Sequence, residues 1–506
     1  MLLKKIPFEL YIIIITFILL SSYTFNSKLD LNGDNANYYI YAKAIATGHG
    51  YSDLSSPGNP PTANFPPGYS ILMAPIFWLT DSIVVQNYLG EVFLLVSVIF
   101  LFLFTATYLK NKGFALFISI IVLSNFFILQ FATMMMSELP YILFSIGVLW
   151  YLIKINEQSH TNKYDLIILI LIAVFAYHIR TQGVVLLLSI LTQFLFNKKW
   201  KNALFSILGF ALGVIPWILR NKYLNLEGSR YLSQTMLIDQ LNPDKGKLPI
   251  AKVIARTVDQ SWDIITKEMP RTIFSNFIED YAHNIFYPTL GAIILIIMLY
   301  GSWKFIKLRW FLVSFIIGNI VIMGIWSGKG FENRYLICIL PILLFCFYFG
   351  IMSLLKQIFK LEIKSTLIWI AASLIMLLVQ FKDIKFLHDW NIEKYPETYA
   401  NFFNVAEWAK DNTPEKSIVS VRKPGLFYIY SNRKAINYLY SDNPDEVIKD
   451  MVKSKVDYVI LDALEYSTTY KFLIPAIKKH STQFQEIYTV GKPAFFLLKF
   501  DKQLPQ

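Results

Sequence analysis

The chain has 506 residues, of which 55% are hydrophobic and only 16% charged. Water-soluble proteins carry roughly 25% charged residues, so much of this surface faces something other than water. The formal net charge of +12 would suit a nucleic-acid binder. The basic residues instead cluster at the ends of apolar runs rather than along one groove, which argues against nucleic acid.

Apolar runs predict helices at about 9–25, 84–109, 113–131, 139–155, 165–179, 182–197, 202–219, 284–302, 310–326, 335–354 and 365–381. That makes about eleven spans, several near the lower limit of roughly 17 residues needed to cross a bilayer. Lys4 and Lys5 precede the first run, but no small-residue cleavage site follows it, so it reads as an uncleaved helix. With the N-terminus inside, the inner helix ends carry Lys110 and Lys112, Lys154 and Lys163, and Lys198, Lys199 and Lys201. Lys304, Lys307 and Arg309 follow, then Lys356, Lys360 and Lys364. Every inner loop is basic, the positive-inside pattern, and the C-terminal region then lies outside.

Two long outer loops are expected, at about 26–83 and 220–283. In the first, Tyr38, Tyr41, Ala42 and Ile45 fall at helical spacing before Gly48, which predicts a helix over 37–47 lying in the membrane interface. The stretch Ile71 to Leu79, after Pro66-Pro67-Gly68, is too short to span. The second loop carries a helix around Ile250 to Ile265. From Lys382 onward charges become frequent. Strands at 417–421, 458–461 and 494–500, with helices at 444–453 and 470–479, predict a small α/β domain. The expected division is therefore a membrane domain over 1–381 and a soluble extracytoplasmic domain over 382–506. Cys338 and Cys346 share one apolar span and read as small buried hydrophobes.

Ionisable residues near membrane depth are functional candidates by default. Asp34, Glu138, Arg180, Arg220 and Arg334 lie at outer helix ends or in outer loops, with Glu91 nearby. Each has a structural alternative. Asp34 and Ser137 or Glu138 are plausible helix caps. The arginines suit snorkelling at the interface, and His178 suits a packing role. An arginine on the outer face nevertheless runs against the inside bias, and an anionic partner would explain it.

In order, these features are an N-terminal helix, Gly33-Asp34 followed by Tyr38-Tyr39, then Pro66-Pro67-Gly68-Tyr69 and Ser137-Glu138. Arg180, Trp217 with Arg220-Asn221, and Arg334-Tyr335 with Pro341 follow. Over about residues 1–355 the chain resembles the GT-C superfamily of glycosyltransferases, in the branch of ArnT-like and protein-mannosyltransferase-like enzymes. The resemblance implies an all-α GT-C-like helical bundle with an appended outer domain. It also implies transfer of a sugar, with inversion, from a polyprenyl-phosphate donor to an extracytoplasmic glycan, lipid or protein. On it, Asp34 is the general base, and Glu138, also counted among the catalytic residues, is the acidic residue of the second outer loop that helps bind acceptor or metal. Arg180, Arg220 and Arg334 are the phosphate contacts, and Tyr38, Tyr39, Tyr69 and Tyr335 line the substrate path. Two departures from the family pattern matter. Asn35 stands where many relatives carry a second carboxylate, and Phe65 where ArnT-like relatives often carry lysine; Lys329 is the candidate substitute. A divalent metal is a further expectation, with Glu138 and His49 as its candidate ligands. A transporter or flippase for a lipid-linked sugar, an oligosaccharyltransferase and a non-catalytic scaffold are the competing readings. A transporter usually places its charges at mid-membrane on broken helices in repeated halves, and neither pattern is visible in the sequence.

Overall fold

The computed structural model describes residues 7–31, 33–226, 235–238, 246–274, 286–325, 332–363 and 365–502. They form two compact units. One comprises residues 1–27, 63–69 and 82–391, and the other 28–62, 70–81 and 392–506.

The first unit is helical. Among the described residues six helices are long and apolar enough to cross a membrane. They include Ile83–Leu109, Glu138–Glu157, Trp200–Tyr223 and Leu340–Phe359. A seventh arises if Lys112–Ser124 and Phe126–Ala132, bent by 64°, are one span. The count of eleven spans is thus not reached on length and apolarity, because helices such as Phe8–Thr24 and Val184–Phe196 are too short. Helices nevertheless occupy the expected positions, and the chain is a multi-pass membrane protein. On Trp200–Tyr223 the exposed residues include Leu204, Leu208, Leu212 and Ile215, a surface suited to lipid.

The 64° bend has a cause. Asn125 ends one helix and caps the next, its Oδ1 accepting from the backbone N–H of Phe127 at 3.1 Å and of Ile128 at 3.2 Å. Its amide donates to the Thr272 carbonyl at 2.9 Å, fixing the corner from outside. At the basic ends of the helices, Lys154 pairs with Asp165 at 2.8 Å and Lys199 donates to the Ile155 carbonyl at 2.6 Å. The last helix, Thr366–Ile392, runs past the expected domain boundary at 381.

The second unit joins most of the first outer loop to the C-terminal residues. Its sheet has the order β2-β1-β3-β5-β4, with β1 Ile418–Ser420, β2 Lys434–Ile436, β3 Tyr458–Leu461, β4 Phe484–Val490 and β5 Phe495–Phe500. β1 pairs in parallel with β2 and β3, and β5 runs antiparallel to β3 and β4. The helix Pro444–Lys453 buries Val447, Ile448 and Met451 at helical spacing against Val459 and Leu498. The expected helix at 470–479 begins with a π-helical turn, Thr469–Leu473, before Ile474–Lys479.

Candidate active site

In the membrane unit, Glu138 opens the helix Glu138–Glu157, which carries Lys154 in its last turn. The carboxylate and the basic cluster are therefore at opposite ends of one helix. Glu138 is fully buried, and its Oε1 lies 2.8 Å from Arg180 Nη1 and 2.6 Å from Arg334 Nε. Arg180 Nη1 also donates to Ser137 Oγ at 2.9 Å, and its guanidinium sits over the Tyr335 ring at 5.4 Å. Ser137 makes no side-chain cap to its helix. The capping alternative for Ser137-Glu138 is not realised: the Ser137 hydroxyl accepts from Arg180, and the Glu138 carboxylate pairs with Arg180 and Arg334.

Two local features bring these residues together. Arg180 ends its helix in extended backbone, followed by the tight turn Thr181–Gly183. There the Gln182 amide donates to Asn319 Oδ1 at 2.6 Å and the Tyr335 carbonyl at 3.4 Å, tying Tyr335 to the turn. Gly68 packs on the end of the same helix; a Cβ at Gly68 would lie 2.6 Å from the His178 carbonyl carbon. Only glycine allows that approach, which accounts for Gly68. Tyr69 is fully buried beside it.

The cluster combines two guanidiniums with one carboxylate, so it carries a net positive charge, suited to a phosphate. Arg220 is held within its own helix, stacked on Trp217 at 4.9 Å and donating to Asn221 Oδ1 at 2.9 Å. Lys329 lies outside the described residues. His178 Nε2 donates to the Gly213 carbonyl at 3.0 Å, a helix-to-helix link of the packing kind.

In the second unit, Asp34 is the first residue of the helix Asp34–Ala46. The cap position belongs to Gly33, at φ +102°, and no side chain caps the helix. Asp34 is therefore not the N-cap that was one reading of it. The glycine supplies the left-handed backbone that turns the chain into the helix. Tyr38 and Tyr39 do not line an open path: both are buried, and the Tyr39 hydroxyl donates to the Asp81 carbonyl at 2.7 Å. Burial pushes the Tyr39 phenol up, and the nearby Asp81 adds to it. His49 is in contact with Thr47 Oγ1 at 3.0 Å.

Asp34 lines a cavity of about 550 Å³ with Asn37, Arg422, Lys423, Asn437 and Tyr466 among its other walls. The C-terminal side of this cavity was not legible as a site in the sequence, although Arg422 directly follows the expected strand at 417–421. Among the described residues no group of three or more metal-ligating side chains occurs. Glu138 does not suit a dication, because Arg180 and Arg334 would repel it.

A family model described as a domain of unknown function (DUF8201) matches residues 77–225. No curated protein sequence matches the chain. Among solved structures, ArnT from Cupriavidus metallidurans bound to undecaprenyl phosphate is similar with a TM-score of 0.56 at 10% identity, over 98% of each chain. The apo form of the same protein gives a TM-score of 0.57 at 10% identity, over 98% of this chain and 99% of that one. The arabinofuranosyltransferase AftD from Mycobacteria matches with a TM-score of 0.52 at 10% identity, covering 98% of this chain and 40% of its own. A bundle of apolar helices with a small mixed sheet at the C-terminus, matched to ArnT over nearly its whole length, shares the fold of that structure.

Proposed function

We propose that the protein is a membrane glycosyltransferase that moves a sugar from a polyprenyl-phosphate carrier to an acceptor outside the cytoplasm, with inversion at the anomeric carbon. The observation that carries this reading is the pairing of Arg180 and Arg334 on the buried Glu138, a cationic centre in a fold whose neighbours are glycosyltransferases. One of those neighbours was solved with undecaprenyl phosphate bound.

In the proposed reaction Asp34 takes the proton from an acceptor hydroxyl. That oxygen attacks the anomeric carbon, and the bond from this carbon to the phosphate oxygen breaks. The polyprenyl phosphate leaves with the electron pair. Charge grows on the phosphate as the bond lengthens, and fixed guanidinium donors stabilise it without reorganising. Glu138 holds the two guanidiniums in place, and part of their five-donor forks is assigned to the phosphate. Arg220 is a third candidate contact, with Tyr335 beside the donor; Tyr69, fully buried, is excluded from the lining on the same ground as Tyr38 and Tyr39. The proposed topology has about eleven passes, the shorter helices among them, with the N-terminus in the cytoplasm and the C-terminal domain outside, as the lysine-rich helix ends favour.

The test is reconstitution of the purified protein in liposomes with radiolabelled undecaprenyl-phosphate sugars and a cell-envelope extract as acceptor. Donor-dependent label in the acceptor, with the anomeric configuration inverted by NMR, is expected. Movement of the donor across the bilayer with no transfer would replace this reading with a flippase.

A further inference from the structure

The parallel strands of the C-terminal unit diverge in connection: β1 passes through the helix Pro424–Ser431 to β2 on one side, and β2 returns through Pro444–Lys453 to β3 on the other. In open α/β sheets such a reversal leaves a crevice outside the carboxyl ends of the strands, and ligands bind there. The cavity of about 550 Å³ lies at these ends. Arg422 and Lys423 follow β1, Asn437 follows β2, and Tyr466 belongs to the loop after β3.

The chemistry of the lining is specific. Arg422 and Lys423 lie 4.3 Å and 5.5 Å from the centre of the Tyr466 ring. Arg422 Nε donates to Thr468 Oγ1 at 3.2 Å and Lys423 Nζ to the Leu31 carbonyl at 2.7 Å, which anchors both side chains at the cavity wall, with the Asp462 carboxyl also within the field of Arg422. The helix Pro424–Ser431 begins at the cavity and adds the positive end of its dipole. Asp53 is turned onto its own loop, its carboxylate accepting from the Ser55 backbone at 2.9 Å and from Ser56 Oγ at 2.8 Å. The lining thus offers two cations for an anion, and Asp34 with the amides of Asn37 and Asn437 for hydroxyls. A volume of this order holds a small ligand.

We propose that this crevice is the acceptor subsite, and that the C-terminal unit selects an acceptor bearing a phosphate or carboxylate beside a hydroxylated ring. Arg422 and Lys423 hold the anion, and Asp34 meets the hydroxyl. The acceptor role rests on Asp34 being the base; the binding of an anionic sugar does not.

Binding is measured on the full-length protein in nanodiscs, with radiolabelled glucose 6-phosphate and glucose in solution, and separately with phosphatidylinositol in the disc. Glucose 6-phosphate or phosphatidylinositol is expected to bind and glucose is not, and whichever of the two anionic probes binds tells a soluble from a lipid-borne acceptor. The double variant Arg422→Gln/Lys423→Gln should weaken that binding by at least about tenfold, the scale of a lost charge-assisted hydrogen bond. Asn437→Asp, which adds one negative charge with little change of shape, should weaken it in the same direction and guards against misfolding of the double variant. Asp34→Asn should keep anion binding, whether or not it abolishes transfer. Equal binding of glucose and glucose 6-phosphate, no binding of either anionic probe, or unchanged affinity in both charge variants would overturn the assignment.

Discussion

Arg334 Nε lies 2.6 Å from Glu138 Oε1 across 196 residues of sequence. Arg180 reaches the same oxygen at 2.8 Å. One buried carboxylate thus fixes two guanidiniums from two further segments, and its replacement tests how far the centre depends on it.

Glu138→Gln leaves two guanidiniums facing a neutral amide. Breaking a buried ion pair from one side costs about 3–5 kcal/mol, so the variant should lose thermal stability in detergent and lose transfer. Arg334→Lys keeps the charge and removes the planar fork. It should retain more stability than Glu138→Gln while still losing transfer, as followed by scanning calorimetry and radiolabel incorporation.

Gly68→Ala forces a methyl to within 2.6 Å of the His178 backbone, which cannot step aside like a side chain. Overpacking of this kind costs about 1–3 kcal/mol. A lowered unfolding midpoint is expected, with reduced transfer, since the segment that moves leads directly to Arg180. An unchanged midpoint would show that the contact is soft.

How much of this was legible in the sequence follows from the range of each interaction. The helices were, because apolar runs and basic ends are local signals. The gathering of Glu138, Arg180 and Arg334 was half legible: their positions at outer helix ends brought them to one face, but the shared oxygen depends on the turn at Thr181–Gly183 and on Gln182 reaching Asn319. Tyr38 and Tyr39 were misread as open lining because an aromatic pair on an interfacial helix has the same spacing whether it faces lipid or a neighbouring segment. The association of the first outer loop with the C-terminal sheet had no local signal. It arises from contacts such as the Lys434 ammonium donating to the Leu54 carbonyl at 2.6 Å, 380 residues apart.

Asp462 offers a pH test in the C-terminal unit. Its carboxyl is pushed up by burial, against smaller opposing effects from the Leu464 N–H and Arg422. The folded state therefore binds this proton more tightly than the unfolded chain does. Its contribution to stability is greatest in acid and declines as pH rises from the ordinary aspartate range through the raised value. Asp462→Asn should raise the unfolding midpoint at pH 7.5 relative to wild type and narrow that gain at pH 4. A gain that grows toward acid would reverse the assignment.

A second stability test lies in the same unit. Arg433 is buried and donates to the Thr413 carbonyl at 2.8 Å and Thr413 Oγ1 at 3.2 Å, and also to the Lys410 carbonyl. These bonds tie the end of the helix Glu397–Asn412 to the start of β2. Arg433→Ala should cost about 3 kcal/mol through the orphaned carbonyls and the lost charged donors, read as early loss of the C-terminal unit in limited proteolysis.

The most direct measurement is single-turnover transfer from radiolabelled undecaprenyl-phosphate sugar by wild-type protein and Asp34→Asn at matched folding. Loss of a general base typically costs about 10²–10⁴ in rate, and a drop of that size with undiminished donor binding is the predicted result. Equal turnover by the two proteins would contradict the assignment of Asp34 as the base that activates the acceptor.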